Sequence, residues 1–234
     1  MSLDTKIETA ISLLQDIQRR YAPAAFANSL GAEDMVLTDL IARHAPGIGI
    51  FTLDTGRLPV ETYELMEKVR EYYGISLTVY YPNAQALERY VNANGINAFY
   101  RSIELRRACC HLRKVEPLKR ALSGKRAWIT GLRRDQAATR GGLAASSFDA
   151  DNGLWKFNPL IDWSHLDVWT YIRERGVPYN ALHDRGYPSV GCAPCTRAIT
   201  AGEDVRAGRW WWEAPESKEC GLHVPGEIFA GQKP

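Results

Sequence analysis

Five cysteines stand in this 234-residue chain, and their spacing is uneven. Cys109 and Cys110 are adjacent, Cys192 and Cys195 form a C-x-x-C pair, and Cys220 stands apart. A C-x-x-C pair can put two thiolates on one metal, and an adjacent pair can do so with more backbone strain. Zinc is ordinarily held by two C-x-x-C knuckles. An adjacent pair plus one C-x-x-C better suits an iron–sulfur cube, whose corners lie farther apart. On spacing alone zinc, or a redox dithiol at the C-x-x-C, stays open. The count is one tetrathiolate site and one thiol left over. That thiol lies in the polar stretch Lys218-Glu219-Cys220-Gly221-Leu222-His223. It becomes a nucleophile where cations, such as His223 or nearby arginines, favour the thiolate. Without them it is a surface cysteine.

Two further features point to an anionic ligand. Ser29-Leu30-Gly31-Ala32-Glu33-Asp34 follows a short apolar run and opens a helical pattern. Free N–H groups at a helix start, a hydroxyl and a glycine make an anion site. It is not a Walker A loop, since no Gly-Lys-Ser/Thr follows, and a plain turn with Asp34 as a cap fits equally well. Residues 101–140 carry twelve Arg or Lys against three acids, about +9 in a chain of net charge +2. Such a block suits a phosphate- or sulfate-bearing ligand, nucleic acid, or a solvated helix face. Trp210-Trp211-Trp212 could stack on a base, but packing is the commoner use of such residues.

The elements that must position these groups read as a doubly wound α/β sheet. Ile7, Ile11, Leu14 and Ile17 recur at helical spacing, with Asp4 as a candidate N-cap. Apolar runs at 24–28, 49–53, 76–81 and 126–130 read as strands, and helical patterns follow near Met35, after Pro59 and at 84–92. Ser164 with Asp167 forms a capping-box pair, and Gly176 and Pro178 end that helix. Strands alternating with helices imply a mostly parallel sheet, which binds ligands beyond the carboxyl ends of its strands. The loops at Ser29–Asp34, Asp54–Gly56 and Gly131–Arg134 fall at such ends and are expected to share a pocket. Residues 1–200 read as the α/β domain and 201–234 as an irregular C-terminal arm. Hydrophobic residues are 45% and charged residues 24%, as in globular proteins. No apolar run is long enough to span a bilayer, and the first residues lack a signal-peptide pattern. A cytoplasmic protein is the expectation.

From about Ala24 to His223 the landmarks together resemble the sulfonucleotide reductases, specifically the assimilatory adenylyl-sulfate (APS) reductases of iron–sulfur type. They are Ser-Leu-Gly-Ala-Glu-Asp at 29–34, Leu-Asp-Thr-Gly at 53–56, Cys109-Cys110 with Arg113-Lys114, and Gly-Leu-Arg-Arg-Asp-Gln at 131–136. Cys-Ala-Pro-Cys at 192–195, Gly-Arg-Trp-Trp-Trp-Glu at 208–213 and Glu-Cys-Gly-Leu-His at 219–223 complete the series. The resemblance implies a fold of the adenine-nucleotide PP-loop type. It implies one [4Fe–4S] cluster per subunit on Cys109, Cys110, Cys192 and Cys195, with Cys220 as the nucleophile. It implies reduction of APS to sulfite and AMP through an S-sulfocysteine, with thioredoxin as reductant, in sulfate assimilation toward cysteine. It also implies a homo-oligomer that binds neither nucleic acid nor membrane. Ser29 and Gly31 are expected at the phosphosulfate, and Leu53, Asp54, Thr55, Gly56 and Gly131 at the nucleoside side. Lys114, Arg133, Arg134, Arg206, Arg209 and His223 are the expected polar and cationic contacts. Eleven residues follow His223, which implies an external reductant.

Three competitors stand beside this reading. The first is the same chemistry on the 3′-phosphorylated substrate, PAPS, whose reductases usually lack the four cluster cysteines. The second is a PP-loop ATP pyrophosphatase acting on tRNA, which would need a loop closer to Ser-Gly-Gly-x-Asp-Ser. The third is a non-enzymatic Fe–S or zinc module, which leaves Cys220 without a task.

Overall fold

The fold is described from a computed structural model, which defines residues 1–136, 143–214 and Lys218. Four short apolar segments form the parallel centre of a sheet: β1 (Ala24–Ala27), β2 (Gly49–Leu53), β3 (Thr78–Tyr80) and β4 (Ala127–Ile129). A hairpin, β5 (Ser146–Asp149) and β6 (Leu154–Phe157), completes it. The order is β3-β2-β1-β4-β6-β5, parallel throughout except at the β5–β6 pair. Side chains alternate between two cores, as a pleated strand requires. Ala24, Phe26, Ile50, Ala127 and Ile129 face one, while Ala25, Phe51 and Trp128 face the other.

The first core is closed by α1 (Leu3–Arg20), α2 (Ala32–His44), α3 (Val60–Tyr73) and α7 (His165–Arg175). Every residue from Met35 to Ile41 is buried, because α2 lies between the sheet and the helices α1 and α7. The second core is closed by α6 (Glu116–Leu122). Between the two halves run α4 (Ala84–Asn94) and α5 (Ile103–Cys110), and a π-helical turn, His111–Val115, joins α5 to α6. The chain thus winds from β1 outward to β3, crosses the other face and returns to pair β4 with β1. That reversal makes the β1–β4 pair the topological switch point, where doubly wound folds take their ligands.

Local signals explain the helix ends, with some corrections. Ser2, not Asp4, caps α1: its side chain accepts from the Thr5 N–H, while Asp4 sits in the first turn. Pro59 is the N-cap of α3 rather than part of its first turn. Gly31 is the N-cap of α2 without a side-chain cap, so Asp34 is not a cap either. Ser164 and Asp167 form the full capping box of α7, and Gly176 ends it in the left-handed region. The basic block forms no single face. Arg106, Arg113 and Arg133 are buried, and Arg120 and Arg134 pair on the surface with Glu116 and Asp162. No helix among the described residues is long and apolar enough to cross a membrane.

Candidate active site

Two neighbouring regions above the strand ends gather the candidate residues. The first is a small cavity lined by Cys109, Cys110, Cys192 and Cys195. The end of α5 supplies the first two, and the short turn Ala193–Cys195 supplies the others. All four are free thiols, and Cys109, Cys192 and Cys195 are buried. Four cations line the same cavity, Arg57, Arg106, Arg113 and Lys114, and no carboxylate does so among the described residues. Because of the π-turn, Arg113 and Lys114 look into the same space as the cysteines that precede them by a few residues.

The thiols are held from several sides. Thr55, just past β2, places its Oγ1 3.2 Å from the Cys192 sulfur. The Arg113 guanidinium bonds the Thr55 carbonyl and the Cys109 sulfur. Burial pushes the Cys109 thiol up, with Arg113 opposing. Burial and the neighbouring Cys192 raise the Cys195 thiol to about 12, against the pull of Lys114 and Arg209. Unliganded, these groups are therefore protonated, and a bound metal centre would reverse that order by deprotonating them. Among the described residues, no three His, Cys, Asp or Glu side chains converge as a site for a single metal ion. The sulfurs surround a space rather than a point.

An ion pair braces the cavity from behind. Arg106 and Glu213, with side chains 0% and 4% exposed, join α5 to the start of the arm at 2.8 Å. Trp210 lies between Arg106 and Arg209, with guanidinium carbons 4.8 and 4.7 Å from its ring centroid. Gly191 allows this, since a Cβ there would come within 2.4 Å of the Arg209 guanidinium. Trp211 and Trp212 pack edge-on with Tyr100, whose hydroxyl donates to the Pro194 carbonyl at 2.6 Å. Trp210 and Trp212 thus pack in one apolar cluster with the cysteines, and Trp211 packs on Tyr100 and Trp212.

The second region is the β1–β4 switch point. Leu30 holds φ +62°, unusual for a residue with a Cβ, and burial together with a 2.7 Å bond from its N–H to Asn28 Oδ1 keeps it there. Asp34 accepts from the Ser29 N–H at 2.7 Å and from the Ser29 hydroxyl at 2.6 Å. Burial pushes Asp34 up to about 6 despite those bonds, and Gly131 packs so closely that a Cβ there would lie 2.1 Å from Asp34 Oδ1. Burial also raises Glu33, but the Arg133 charge and hydrogen bonds outweigh it and hold Glu33 below the ordinary range.

The expected site residues divide between these regions. Lys114 and the four cysteines line the cavity. Asp54 accepts from the Gly56 N–H and the Tyr63 hydroxyl, shaping the turn after Leu53. Ser29, Gly31 and Gly131 border the switch point. Arg133 is spent on Glu33 and the Trp163 carbonyl, and Arg134 points to Asp162 and the Leu143 carbonyl. Arg209 donates to the Val190 carbonyl. Arg206 donates to the Lys218 carbonyl at 2.9 Å. Cys220 and His223 lie outside the described residues. Arg57, Thr55 as a thiol partner, and the Arg106–Glu213 pair carry no local sequence signal.

Fold and site define a doubly wound α/β protein with a topological switch between β1 and β4 and a four-thiol, cation-lined cavity one strand away. A family model described as the phosphoadenosine phosphosulfate reductase domain matches residues 23–198. An adenosine 5′-phosphosulfate reductase of Allochromatium vinosum is 59% identical, over 95% of this chain and 87% of its own. The chain belongs to the phosphoadenosine phosphosulfate reductase domain family. A crystal structure of the PAPS reductase from Candida auris, a phosphate complex, superposes with TM-score 0.67 and 29% identity, over 84% of this chain and 96% of that one. The FMN adenylyltransferase of Candida glabrata, at TM-score 0.57 and 15% identity over 93% and 74%, shares the fold alone.

Proposed function

We propose that this protein reduces adenosine 5′-phosphosulfate to sulfite and AMP, with Cys220 as nucleophile and thioredoxin as electron donor. The observation that carries the reading is the cavity itself: four free thiols and four cations around one space, in a chain aligned along 95% of its length with an APS reductase. The donor set fits a [4Fe–4S] cluster on Cys109, Cys110, Cys192 and Cys195, because the sulfurs line a volume and do not converge on one ion. When bound, the cluster supplies fixed charge and bracing beside the substrate, since thiols provide both electrons.

The chain's own residues carry the chemistry. The Cys220 thiolate attacks the sulfur of the phosphosulfate. A sulfur–sulfur bond forms, the bridging oxygen–sulfur bond breaks, and AMP leaves with the oxygen. Negative charge develops on that oxygen, so fixed cations lower the barrier. Lys114 faces the thiol cavity, and Arg206 holds the carbonyl of Lys218, two residues before Cys220. Arg209 lies beside Cys195. A thioredoxin thiolate then attacks the Cys220 sulfur and expels sulfite, and its second thiol resolves the mixed disulfide. A homo-oligomer in the cytoplasm belongs to the same reading.

Mass spectrometry after mixing with APS alone tests it. The expected result is one SO3 adduct on Cys220, removed by reduced thioredoxin. An unmodified Cys220 under saturating APS overturns the proposal. The kcat/KM for APS is expected to exceed that for PAPS, and the reverse order transfers the reading to the phosphorylated substrate.

A further inference from the structure

The segment 209–213 is fastened to both halves of the thiol set. Thr196 and Arg209 form an antiparallel bridge, and the Trp210 N–H donates to the Cys195 carbonyl at 3.2 Å, which ties the segment to the C-x-x-C turn. Glu213 ties it to α5. Its two carboxylate oxygens accept from Arg106 Nε at 2.9 Å and Nη2 at 2.8 Å. Arg106 stands one turn before Cys110 and lines the thiol cavity with it. Both side chains of the pair are buried. Trp210 holds φ +41°, in the left-handed region that disfavours a Cβ, and packing against the Arg106 and Arg209 guanidiniums keeps it there. For stability alone an apolar pair of equal volume would serve as well, because two buried charges lose their hydration. What a bidentate guanidinium–carboxylate contact adds is a fixed distance and orientation. Here it adds them seven residues before Cys220.

We propose that Glu213 is a positioning residue for sulfur transfer: through Arg106 it roots the C-terminal arm on the helix that ends in Cys109 and Cys110. This rests on the reductase reading above and adds a residue to it. An extended chain spans about 3.3–3.6 Å per residue, so Cys220 must act within about 25 Å of the Glu213 Cα. The root holds the nucleophile inside that radius and fixes the direction from which the chain arrives. Reaction geometry is sensitive to such placement, since a shift of about 1 Å can cost about 100-fold in rate. Glu213 touches no reacting atom in this scheme. It acts through Arg106, whose guanidinium also lies against the Cys110 sulfur.

Rapid-quench mass spectrometry of the iron–sulfur-loaded protein with APS, without thioredoxin, tests the proposal. Glu213→Gln keeps the shape of the side chain and removes its charge. It is expected to slow SO3 adduct formation on Cys220 by at least about tenfold, while AMP affinity stays within about threefold and the iron–sulfur absorption is unchanged. Glu213→Asp keeps the charge and is expected to recover most of that loss. Combining Arg106→Lys with Glu213→Gln is expected to be no slower than the slower single variant, because both break one link. Adduct formation by Glu213→Gln at the wild-type rate overturns the proposal, as do losses that add in the double variant. A rate that falls only in proportion to lost chromophore does so too. If Glu213→Gln does not fold, hydrogen exchange in the loaded wild type decides. The Trp210 and Glu213 amides are expected to be protected within about tenfold of those in α5, and exchange at the rate of an open chain overturns the proposal. A wild type that forms no adduct overturns the reductase reading and this proposal together, a result distinct from equal rates in wild type and Glu213→Gln.

Discussion

The thiol cavity and the β1–β4 switch point stand one strand apart and solve opposite problems. The cavity collects cations and places no carboxylate among them. Arg106 is paired from behind with Glu213, and Arg113 is held by the Thr55 carbonyl. The β1–β4 loops are tied internally, with Glu33 paired to Arg133 and Asp34 bonded by the Ser29 N–H and hydroxyl. The two regions thus differ in kind: one sets thiols among cations, the other ties carboxylates to neighbouring donors.

The comparison breaks most sharply at the nucleophile. Cys220→Ser is expected to lower sulfite release by more than about 10^4-fold, as followed by sulfite formation with reduced thioredoxin, while AMP binding stays within about threefold. Loss of AMP binding in that variant would show that arm and nucleotide site are not separable. Next is the brace behind the cavity. Arg106→Ala removes the cation from a buried ion pair, and such a break costs about 3–5 kcal/mol in urea unfolding. An unfolding curve matching wild type would count against the ion pair as a structural element.

The β1–β4 loops predict a dependence on pH. Folding raises the Asp34 carboxyl from 3.8 to about 6, so its contribution to stability is fully present below pH 4 and is lost as pH rises through 6. Between pH 4 and 7 the wild type should therefore lose about 2 kcal/mol relative to Asp34→Asn. Parallel stability–pH profiles for the two proteins would refute the shift. The smallest effect sharpens the contrast from outside both regions. Ser164→Ala removes the capping box of α7 and is expected to cost about 1 kcal/mol in thermal unfolding, leaving AMP binding untouched.

Much of the scaffold was legible because its signals are local. The central strands announce themselves as apolar runs, and Ser164 with Asp167 as a cap. The four cysteines that spacing groups together line one cavity. The β5–β6 hairpin was not legible, since Ser-Ser-Phe-Asp is a polar edge strand with little alternation. The partners of buried charges were hidden for another reason. Glu213 lies 107 residues from Arg106, and Glu33 lies 100 from Arg133. No window of sequence joins them. Ser29, expected at the phosphosulfate, bonds Asp34 through its N–H and hydroxyl, a partner that its residue type does not announce.

The two halves of the thiol cavity come from distant parts of the chain, with Cys110 and Cys192 on either side of β4, β5, β6 and α7. During synthesis at about 5–20 residues per second, Cys109 and Cys110 emerge roughly 4–16 s before the C-x-x-C pair that closes the cavity. For that interval the leading thiols are exposed to oxidants and stray metals on a nascent chain. Loading of any metal centre is therefore a late event, gated by completion of the C-terminal third of the polypeptide.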